Sequence, residues 1–218
     1  MGQAGRRWCC LDIGEVLIDE TRVWSVWADV LGVPAFTLMA AIGGAVVRGG
    51  DHRDAFALLG APDWAERQEA FEARYGGFRA EDLYPDALTA LAALRAAGFG
   101  VAIMGNQPAS RSAELRALGV DADVIAMSGE LGVEKPSAAF FAAVVAVTGA
   151  APADVAYVGD RIDNDVLPAL AAGLQPVWLR RGPWGALHHL PNGVTVPQAR
   201  DLADVVRLAA SVWADPDG

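Results

Sequence analysis

Acidic side chains follow two apolar runs of the chain, at points where buried strands would end. Asp12 comes directly after the first run, and Asp160 and Asp165 come after a later one. Ligands bind beyond the carboxyl ends of the strands in an open parallel sheet, so these side chains form a set if both runs are strands. An isolated aspartate after a strand is more often a helix cap or a turn residue. Carboxylates on neighbouring strand ends form a Mg²⁺ site with few protein ligands, and one of them can serve as a nucleophile.

Two further motifs bring an amide and a cation to the same edge of the predicted sheet. Gly105 and Asn106 follow a third apolar run, and Lys135 lies between that run and the one before Asp160. Lys135 is the only lysine of the chain, and the other 16 of its 17 basic residues are arginine. A lysine is expected in such a background where the chemistry requires a compact point charge. The alternative, a surface lysine present by chance, is weakened by the neighbouring motifs.

Strand-like and helix-like segments alternate through most of the chain. The predicted strands are short apolar runs: Arg7–Asp12, Gly100–Met104, Val124–Ala126, Val155–Val158, Gln175–Leu179 and, more weakly, Gly193–Val196. The predicted helices have apolar residues three and four positions apart: Asp86–Ala97, Arg111–Leu118, Ser137–Thr148 and Asp163–Ala172. This alternation predicts an α/β fold with a parallel sheet covered by helices on both faces.

The region between residues 20 and 83 contains helix-like segments and no strand-like ones. These segments are separated by Gly and Pro turns: Val23–Leu31, Thr37–Val47, Asp51–Leu59 and Trp64–Tyr75. We therefore predict an all-helical domain at about 20–83, inserted into a core formed by 1–19 and 84–218. Six aromatic residues of the insert are expected mainly to fill its own core, with one or two facing a substrate: Trp24, Trp27, Phe36, Phe56, Trp64 and Phe71.

The composition excludes several classes of protein. A chain of 218 residues, 53% of them hydrophobic, forms one or two compact domains and is neither disordered nor disulfide-stapled. The net charge of −10 argues against nucleic acid as a partner, since no strongly basic run offsets it. No segment approaches the ~20 uncharged residues of a membrane span. We expect a cytoplasmic monomer or homodimer in which the adjacent Cys9 and Cys10 are reduced core residues.

Four motifs, taken in order, resemble those of the haloacid dehalogenase superfamily. They are Leu11-Asp12-Ile13-Gly14-Glu15-Val16-Leu17, Ile103-Met104-Gly105-Asn106, Glu134-Lys135-Pro136 and Gly159-Asp160 through Asn164-Asp165. The resemblance covers nearly the whole chain and implies a Rossmann-like core with a helical cap. It also explains the position of the insert: 93 positions separate Asp12 from Gly105, and only 30 separate Gly105 from Lys135.

The resemblance further implies a Mg²⁺-dependent phosphatase that acts on a small phosphorylated metabolite. Asp12 would be the nucleophile that forms an aspartyl-phosphate, and Lys135 would neutralise the attacking carboxylate and the transferred oxygens. The residues implied for the metal are Asp12, Gly14 through its backbone carbonyl, and Asp160, with Asp165 in support. Backbone N–H groups of the Gly14–Val16 and Asn106–Gln107 turns would bind the phosphoryl group.

The chain departs from the family pattern at two positions. Phosphatases of the family usually have a second aspartate two residues after the nucleophile, as general acid and base, where this chain has Gly14. Such catalysis contributes ~10²–10⁴-fold. Glu15 and Asp19 are candidates to replace it, or are simply charges on the loop beneath the cap. Gly105 stands where the family normally has a Ser or Thr hydroxyl, so Asn106 or a water would have to replace that hydrogen bond.

Two alternatives to a phosphatase remain open. The dehalogenase branch of the family also lacks the second aspartate, because a halide leaving group needs no proton. That branch binds the substrate carboxylate through an arginine in or near the cap, for which Arg22 and Arg48 are candidates. A non-catalytic or repurposed binding protein with the same fold is the other alternative. The retained Asp160 and Asp165 are compatible with Mg²⁺ and favour phosphoryl chemistry.

Overall fold

A six-stranded sheet, in which all neighbouring strands are parallel, lies at the centre of the molecule. The structure is a computed structural model and describes residues 5–212. The strands are β1 Trp8–Leu11, β2 Gly100–Gly105, β3 Val124–Met127, β4 Val155–Gly159, β5 Gln175–Leu179 and β6 Gln198–Ala199. Their order across the sheet is β3-β2-β1-β4-β5-β6, so β1 lies between β2 and β4. The segments that follow these three strands therefore meet at one edge of the sheet.

Helices cover the sheet and fill the long connection between β1 and β2. That connection contains α1 Thr21–Leu31, α2 Ala35–Val47, α3 His52–Leu58, a 3₁₀ turn at Trp64–Arg67 and α4 Gln68–Tyr75. Beyond a 3₁₀ turn at Ala80–Asp82, the helices are α5 Ala87–Ala96, α6 Arg111–Ala117, α7 Ser128–Leu131, α8 Ala138–Thr148, α9 Leu167–Ala171, α10 Gly182–Leu187 and α11 Leu202–Val212. The predicted α/β fold with an inserted helical region is confirmed. The domain boundaries at 19/20 and 83/84 stay a prediction.

The central strands are buried on both faces, as expected for a parallel sheet between helical layers. Cys9 and Leu11 point into the larger hydrophobic cluster, and Cys10 points into the cluster on the opposite face. Both cysteines are free and buried. Burial raises the pKa of the Cys9 thiol to about 12. The expectation of two unbridged core cysteines is therefore confirmed.

Aromatic residues form the interior of the helical insert. The Trp27 ring stacks on Phe71 with centroids 4.5 Å apart, and it lies 5.0 Å from Phe56 and 6.0 Å from Trp64. Rings at such separations gain about 0.5–1.5 kcal/mol per pair beyond the area they bury. The insert therefore has a hydrophobic centre of its own, continuous with the cluster beneath the sheet.

The helix α2 is apolar on all sides, yet only one of its faces is buried. The buried face of α2 has the three-to-four-residue spacing of one helix stripe and consists of Leu38, Ile42, Ala45 and Val46. Phe36 is 84% exposed, so the prediction that it fills the core is wrong. A surface helix buries a single stripe, and Phe36 lies outside it. Within residues 5–212 no single helix is long and apolar enough to cross a membrane, although α1 and α2 pass that test as a pair bent by 111°.

The last strand lies later in the chain than predicted. Val194 and Val196, in the segment predicted as a strand, pack on Trp178 without joining the sheet. The two-residue strand β6 pairs with β5 instead, with Gln198 opposite Trp178 and Ala199 opposite Leu179. The apolar pattern of 193–196 reflects this side-chain packing, whereas the backbone hydrogen bonds that define the strand form at the following residues.

Arg22 ties the start of the insert to its end. Its guanidinium donates to the Asp82 carboxylate at 2.8 Å, to the Tyr75 carbonyl at 2.8 Å and to the Gly77 carbonyl at 2.6 Å. Asp82 is only 3% exposed. Burial alone would raise the pKa of Asp82, but bonds from Arg22 and from the Arg79 backbone hold it below its usual value. The carboxylate is therefore stable inside the protein only while Arg22 is present.

We predict that Arg22→Ala lowers the free energy of unfolding by about 3 kcal/mol, since it leaves the buried Asp82 carboxylate without its counter-charge and two carbonyls without the guanidinium donor. Urea denaturation followed by circular dichroism measures the loss. Arg79→Ala is the matched control, because the Arg79 side chain pairs with Glu81 at 3.5 Å where both are largely exposed. Equal losses in the two variants would contradict this account of Arg22.

Candidate active site

A cleft of about 790 Å³ opens between the carboxyl edge of the sheet and the helical insert. Polar residues from the ends of the strands form one side, including Asp12, Lys135 and Asp160. Aromatic residues of the insert form much of the other side: Trp24, Trp27, Phe56, Trp64, Phe71, Tyr75 and Phe78; Trp184 of α10 also lines the cleft. The cleft therefore brings the predicted catalytic residues opposite the aromatic residues of the insert.

The ammonium of Lys135 lies at the base of this cleft between two carboxylates. Its Nζ is 2.8 Å from Asp12 Oδ1 and 2.6 Å from Asp165 Oδ1, and the lysine side chain is 1% exposed. Burial alone would lower the pKa of Lys135, but the charges of Asp12 and Asp165 outweigh that effect and raise it. Lys135 is therefore a permanent cation beside Asp12 at neutral pH.

Asn106 fixes the backbone of Lys135. Its Oδ1 accepts from the Lys135 N–H at 2.8 Å, and its Nδ2 donates to the Lys135 carbonyl at 2.9 Å. Both ends of the amide are thereby engaged. The expectation that this side chain replaces the absent Ser or Thr hydroxyl is not supported, since its hydrogen bonds already hold the lysine segment. Asn106 still lines the cleft, as the segment after β2 was predicted to do.

Asp160 and Asp165 differ in their access to the cleft. Asp165 is fully buried and accepts from Lys135 and, at 3.0 Å, from the Arg161 N–H. Burial raises its pKa to about 6 against the opposing charge of Lys135. Asp160 lines the cleft, is 3% exposed, and its carboxylate accepts from no donor in residues 5–212. Burial, and then the charges of Asp165 and Asp12, raise the pKa of Asp160 well above its usual value.

The acidic cluster fits a hard divalent cation. Carboxylate oxygens of Asp12, Asp160 and Asp165 approach within 4.8 Å of one another. Lys135 balances only part of this charge, and an unpaired buried carboxylate is costly. Oxygen donors at this spacing suit Mg²⁺, which keeps several waters and takes few protein ligands. Asp12 and Asp160 face the cleft together with Gly14, whereas Asp165 supports them from behind through Lys135.

The two glycines that depart from the family pattern each lie against a carboxylate. A Cβ at Gly105 would collide with Asp12 Oδ1 and lie 3.1 Å from Ile13 Cδ1. The Asp12 carboxylate thus fills the space of a side chain there, and Gly105, buried at the end of β2, does not line the cleft. A Cβ at Gly14 would lie 2.8 Å from the Glu20 carboxyl carbon.

Glu20 is a cleft residue that sequence reasoning missed. It is partly buried, and removal from water, with the charges of Glu15 and Asp12, raises its pKa to about 8. The two acids predicted as replacements at Gly14 have other partners. Glu15 accepts from the Tyr84 hydroxyl at 2.6 Å, and Asp19 accepts from the Thr21 N–H at 2.8 Å. The only signal for Glu20 was an acid eight positions after Asp12, and spacing alone does not reveal that the loop folds back.

The arginines nominated for a dehalogenase are not placed to bind a substrate carboxylate. Arg22 is bound to Asp82 and to backbone carbonyls, and neither it nor Arg48 lines the cleft. The arginines that do line it are Arg53 and Arg161. Arg161 is paired with Asp163 at 2.6 Å.

Known proteins match this chain over much of its length. A family model described as haloacid dehalogenase-like hydrolase matches residues 7–173. The chain is 34% identical over 135 residues to a glyceraldehyde 3-phosphate phosphatase of Methanopyrus kandleri, a match that covers 58% of each chain. It is 35% identical over 126 residues to a phosphoserine phosphatase of Thermus thermophilus, covering 56% of this chain and 50% of the relative. The chain thus spans little more than half the length of these relatives.

Solved structures share the fold at lower sequence identity. A phosphatase of the family from Thermococcus onnurineus superposes with a TM-score of 0.60 at 21% identity, covering 93% of this chain and 97% of the other. An L-2-haloacid dehalogenase superposes with a TM-score of 0.68 at 17% identity, covering 94% and 99%. Because enzymes of two different activities share the fold, the fold alone does not choose between them.

We predict that Asp160→Asn raises the melting temperature in the absence of divalent ions and abolishes the further rise that Mg²⁺ produces. Burial, and then the neighbouring acids, raise the pKa of the Asp160 carboxyl group, so its ionised form destabilises the folded protein at neutral pH. Differential scanning fluorimetry with and without Mg²⁺ measures both effects. Asp163→Asn is the control, since this acid is 54% exposed and paired with Arg161. A Mg²⁺ shift that survives in Asp160→Asn would contradict the assignment.

We also predict that Asn106→Ala lowers kcat by about 10–100-fold with a smaller change in KM, because it releases the segment that positions Lys135. Steady-state kinetics on any phosphate ester that the wild type hydrolyses provides the measurement. Gln107→Ala, at the next position along the cleft, is the matched control. A wild-type kcat in Asn106→Ala would show that the lysine is positioned without this amide.

Proposed function

Because the chain belongs to the haloacid dehalogenase-like hydrolases, whose family model matches residues 7–173, we propose that it is a Mg²⁺-dependent phosphatase of a small phosphorylated metabolite. The reaction would pass through a phosphoryl group carried on Asp12. The observation that carries the proposal is the position of Asp12 in the cleft, in contact with the Lys135 ammonium and with a carboxylate oxygen within 4.8 Å of one from Asp160.

The environment of Asp12 supports its role as the nucleophile. Oδ1 is held by Lys135, and no donor in residues 5–212 binds Oδ2. The backbone N–H of Asp12 donates to the Val158 carbonyl at 2.9 Å, which fixes the residue to the neighbouring strand β4. One oxygen is therefore held in place while the other is available to attack phosphorus. Holding the reactants in this way removes much of the entropic barrier.

The cleft residues divide the work of phosphoryl transfer. Asp12 Oδ2 attacks phosphorus as the bond to the leaving oxygen breaks, and water then attacks the same phosphorus and restores the carboxylate. Lys135 reduces the repulsion between the carboxylate and the phosphoryl oxygens as they approach. Mg²⁺, held by Asp12, Asp160 and the Gly14 carbonyl with Asp165 in support, would supply further positive charge toward the phosphoryl oxygens. Asn106 keeps the lysine in position through its backbone.

The size and lining of the cleft support a small substrate. A volume of about 790 Å³ falls in the range typical of small-molecule sites. The net charge of −10 disfavours nucleic acid as a substrate or partner. The two curated relatives are named for the hydrolysis of phosphate esters of three-carbon compounds, which supports the choice of a phosphorylated metabolite.

Phosphoryl chemistry is favoured over dehalogenation by the charge of the site. The acids of the cluster exceed the single Lys135 cation, so the cluster favours binding of a divalent ion, which a halide displacement does not use. The candidate arginines for a haloacid carboxylate lie outside the cleft. A non-catalytic binding protein would not require the free oxygen of Asp12.

We predict that phosphate release depends on both Asp12 and Mg²⁺. Asp12→Asn should reduce turnover on the order of 10³-fold or more, because the amide is a poor nucleophile. EDTA should abolish activity, and added Mg²⁺ should restore it. A malachite green assay over a panel from acetyl phosphate to sugar phosphates measures the release. Asp121→Asn, whose side chain is 81% exposed, is the control.

Two outcomes would contradict the proposal. Halide release from 2-haloacids in the presence of EDTA would identify a dehalogenase. Binding of phosphorylated ligands by the wild type and by Asp12→Asn alike, with no turnover over the panel, would identify a non-catalytic protein.

A further inference from the structure

A leaving alkoxide needs a proton, and among the acids near Gly14 few are free to supply one. Glu15 is bound by the Tyr84 hydroxyl, Asp19 by the Thr21 N–H, and Asp163 by Arg161. Glu20 lines the cleft, and its carboxyl accepts from no donor in the part of the chain that the structure describes. Asp160 also accepts from no donor in residues 5–212, but it belongs to the proposed metal site, so Glu20 is the acid beside Gly14 that is left to carry a proton.

The carboxyl group of Glu20 fills the space that a side chain at position 14 would occupy. A Cβ built on Gly14 would lie 2.8 Å from the Glu20 carboxyl carbon and closer still to Oε1. The separation from the Cβ position to Oε1 is similar to that between the Cβ of an aspartate and its own carboxylate oxygens. Glu20 therefore places an oxygen where a short acid at position 14 would place one, although it comes from a different part of the chain.

The loop between β1 and α1 is folded to make this possible. Gly14 bridges to Ile18, so the chain turns back on itself directly after the nucleophile. Glu15, in the left-handed region with φ of 52°, directs its own carboxylate to the Glu20 N–H at 3.1 Å. Glu15 thus positions Glu20 rather than replacing the acid itself. The absence of a Cβ at Gly14 leaves the room that the Glu20 carboxyl group fills.

We propose that Glu20 is the proton donor and acceptor of the reaction, an inference that rests on the proposed phosphatase function. As Asp12 attacks phosphorus, the bond to the leaving oxygen breaks, its electron pair stays on that oxygen, and the oxygen takes the proton of Glu20. The Glu20 carboxylate then takes a proton from water as the water oxygen attacks phosphorus. Phosphate leaves, the Asp12 carboxylate is restored, and Glu20 is protonated again.

Leaving-group dependence in Glu20→Gln tests this role. With alkyl phosphates such as glycerol phosphate, the variant should lose ~10²–10⁴-fold in turnover, because the alkoxide leaves without a proton. With p-nitrophenyl phosphate, whose leaving group needs no proton, it should release a burst of about one p-nitrophenolate per enzyme and then turn over slowly. Asp19→Asn, the neighbouring acid outside the cleft, should retain wild-type kinetics with both substrates.

A rescue variant separates chemistry from damage to the fold. In Gly14→Asp alone, the new side chain would meet the Glu20 carboxyl group, so the acid must be moved rather than added. Glu20→Ala should be as defective as Glu20→Gln, and Gly14→Asp with Glu20→Ala should recover turnover of alkyl phosphates. Recovery would support a carboxyl group in this position as the proton carrier.

The outcomes distinguish this inference from the proposed function beneath it. Wild-type turnover of alkyl phosphates by Glu20→Gln, with Asp12→Asn inactive, would overturn the role of Glu20 and leave the phosphatase standing. Equal losses with both substrates, no burst and no rescue would also overturn it, since they indicate a structural role. No phosphate release by the wild type from any substrate would overturn the proposed function itself, and this inference with it.

Discussion

One buried ammonium, that of Lys135, determines how the acidic edge of the sheet is organised. It contacts carboxylates that follow two neighbouring strands, Asp12 after β1 and Asp165 after β4. Without this cation, the cluster would hold adjacent negative charges out of water. Burying such charges without a partner costs several kcal/mol per ion. The lysine in turn depends on Asn106, whose amide binds its backbone on both sides. The position of Asp12, the charge balance of the cluster and its fit to a metal ion thus depend on one interaction.

Each glycine that departs from the family pattern is explained by the carboxyl group beside it. Asp12, which contacts Lys135, lies where a side chain at Gly105 would be, so a Ser or Thr there would displace the Asp12 carboxylate. Glu20 lies where a side chain at Gly14 would be. At both glycines, a neighbouring carboxyl group therefore occupies the space of the absent side chain. They are compatible with a working site, provided that Glu20 carries the proton.

Much of the fold could be predicted from residue periodicity. Contacts that form because a loop turns back on itself could not. Acids at strand ends indicated the site because parallel strands end at a common edge. Phe36 was misplaced because an all-apolar helix does not reveal which stripe is buried. The last strand was misplaced because Val196 packs on Trp178 without pairing. Glu20 was missed because its place beside Gly14 depends on a turn that spacing does not encode.

Trapping the intermediate shows whether Asp12 carries the phosphoryl group during turnover. Borohydride reduces an acyl phosphate to an alcohol, so residue 12 should become homoserine when the enzyme is quenched with the reagent during turnover of a substrate. Peptide mass spectrometry locates the change. We predict homoserine at position 12 only when substrate and Mg²⁺ are both present. Phosphate release while Asp12 stays unmodified, or with homoserine formed from another aspartate, would show that Asp12 does not carry the phosphoryl group.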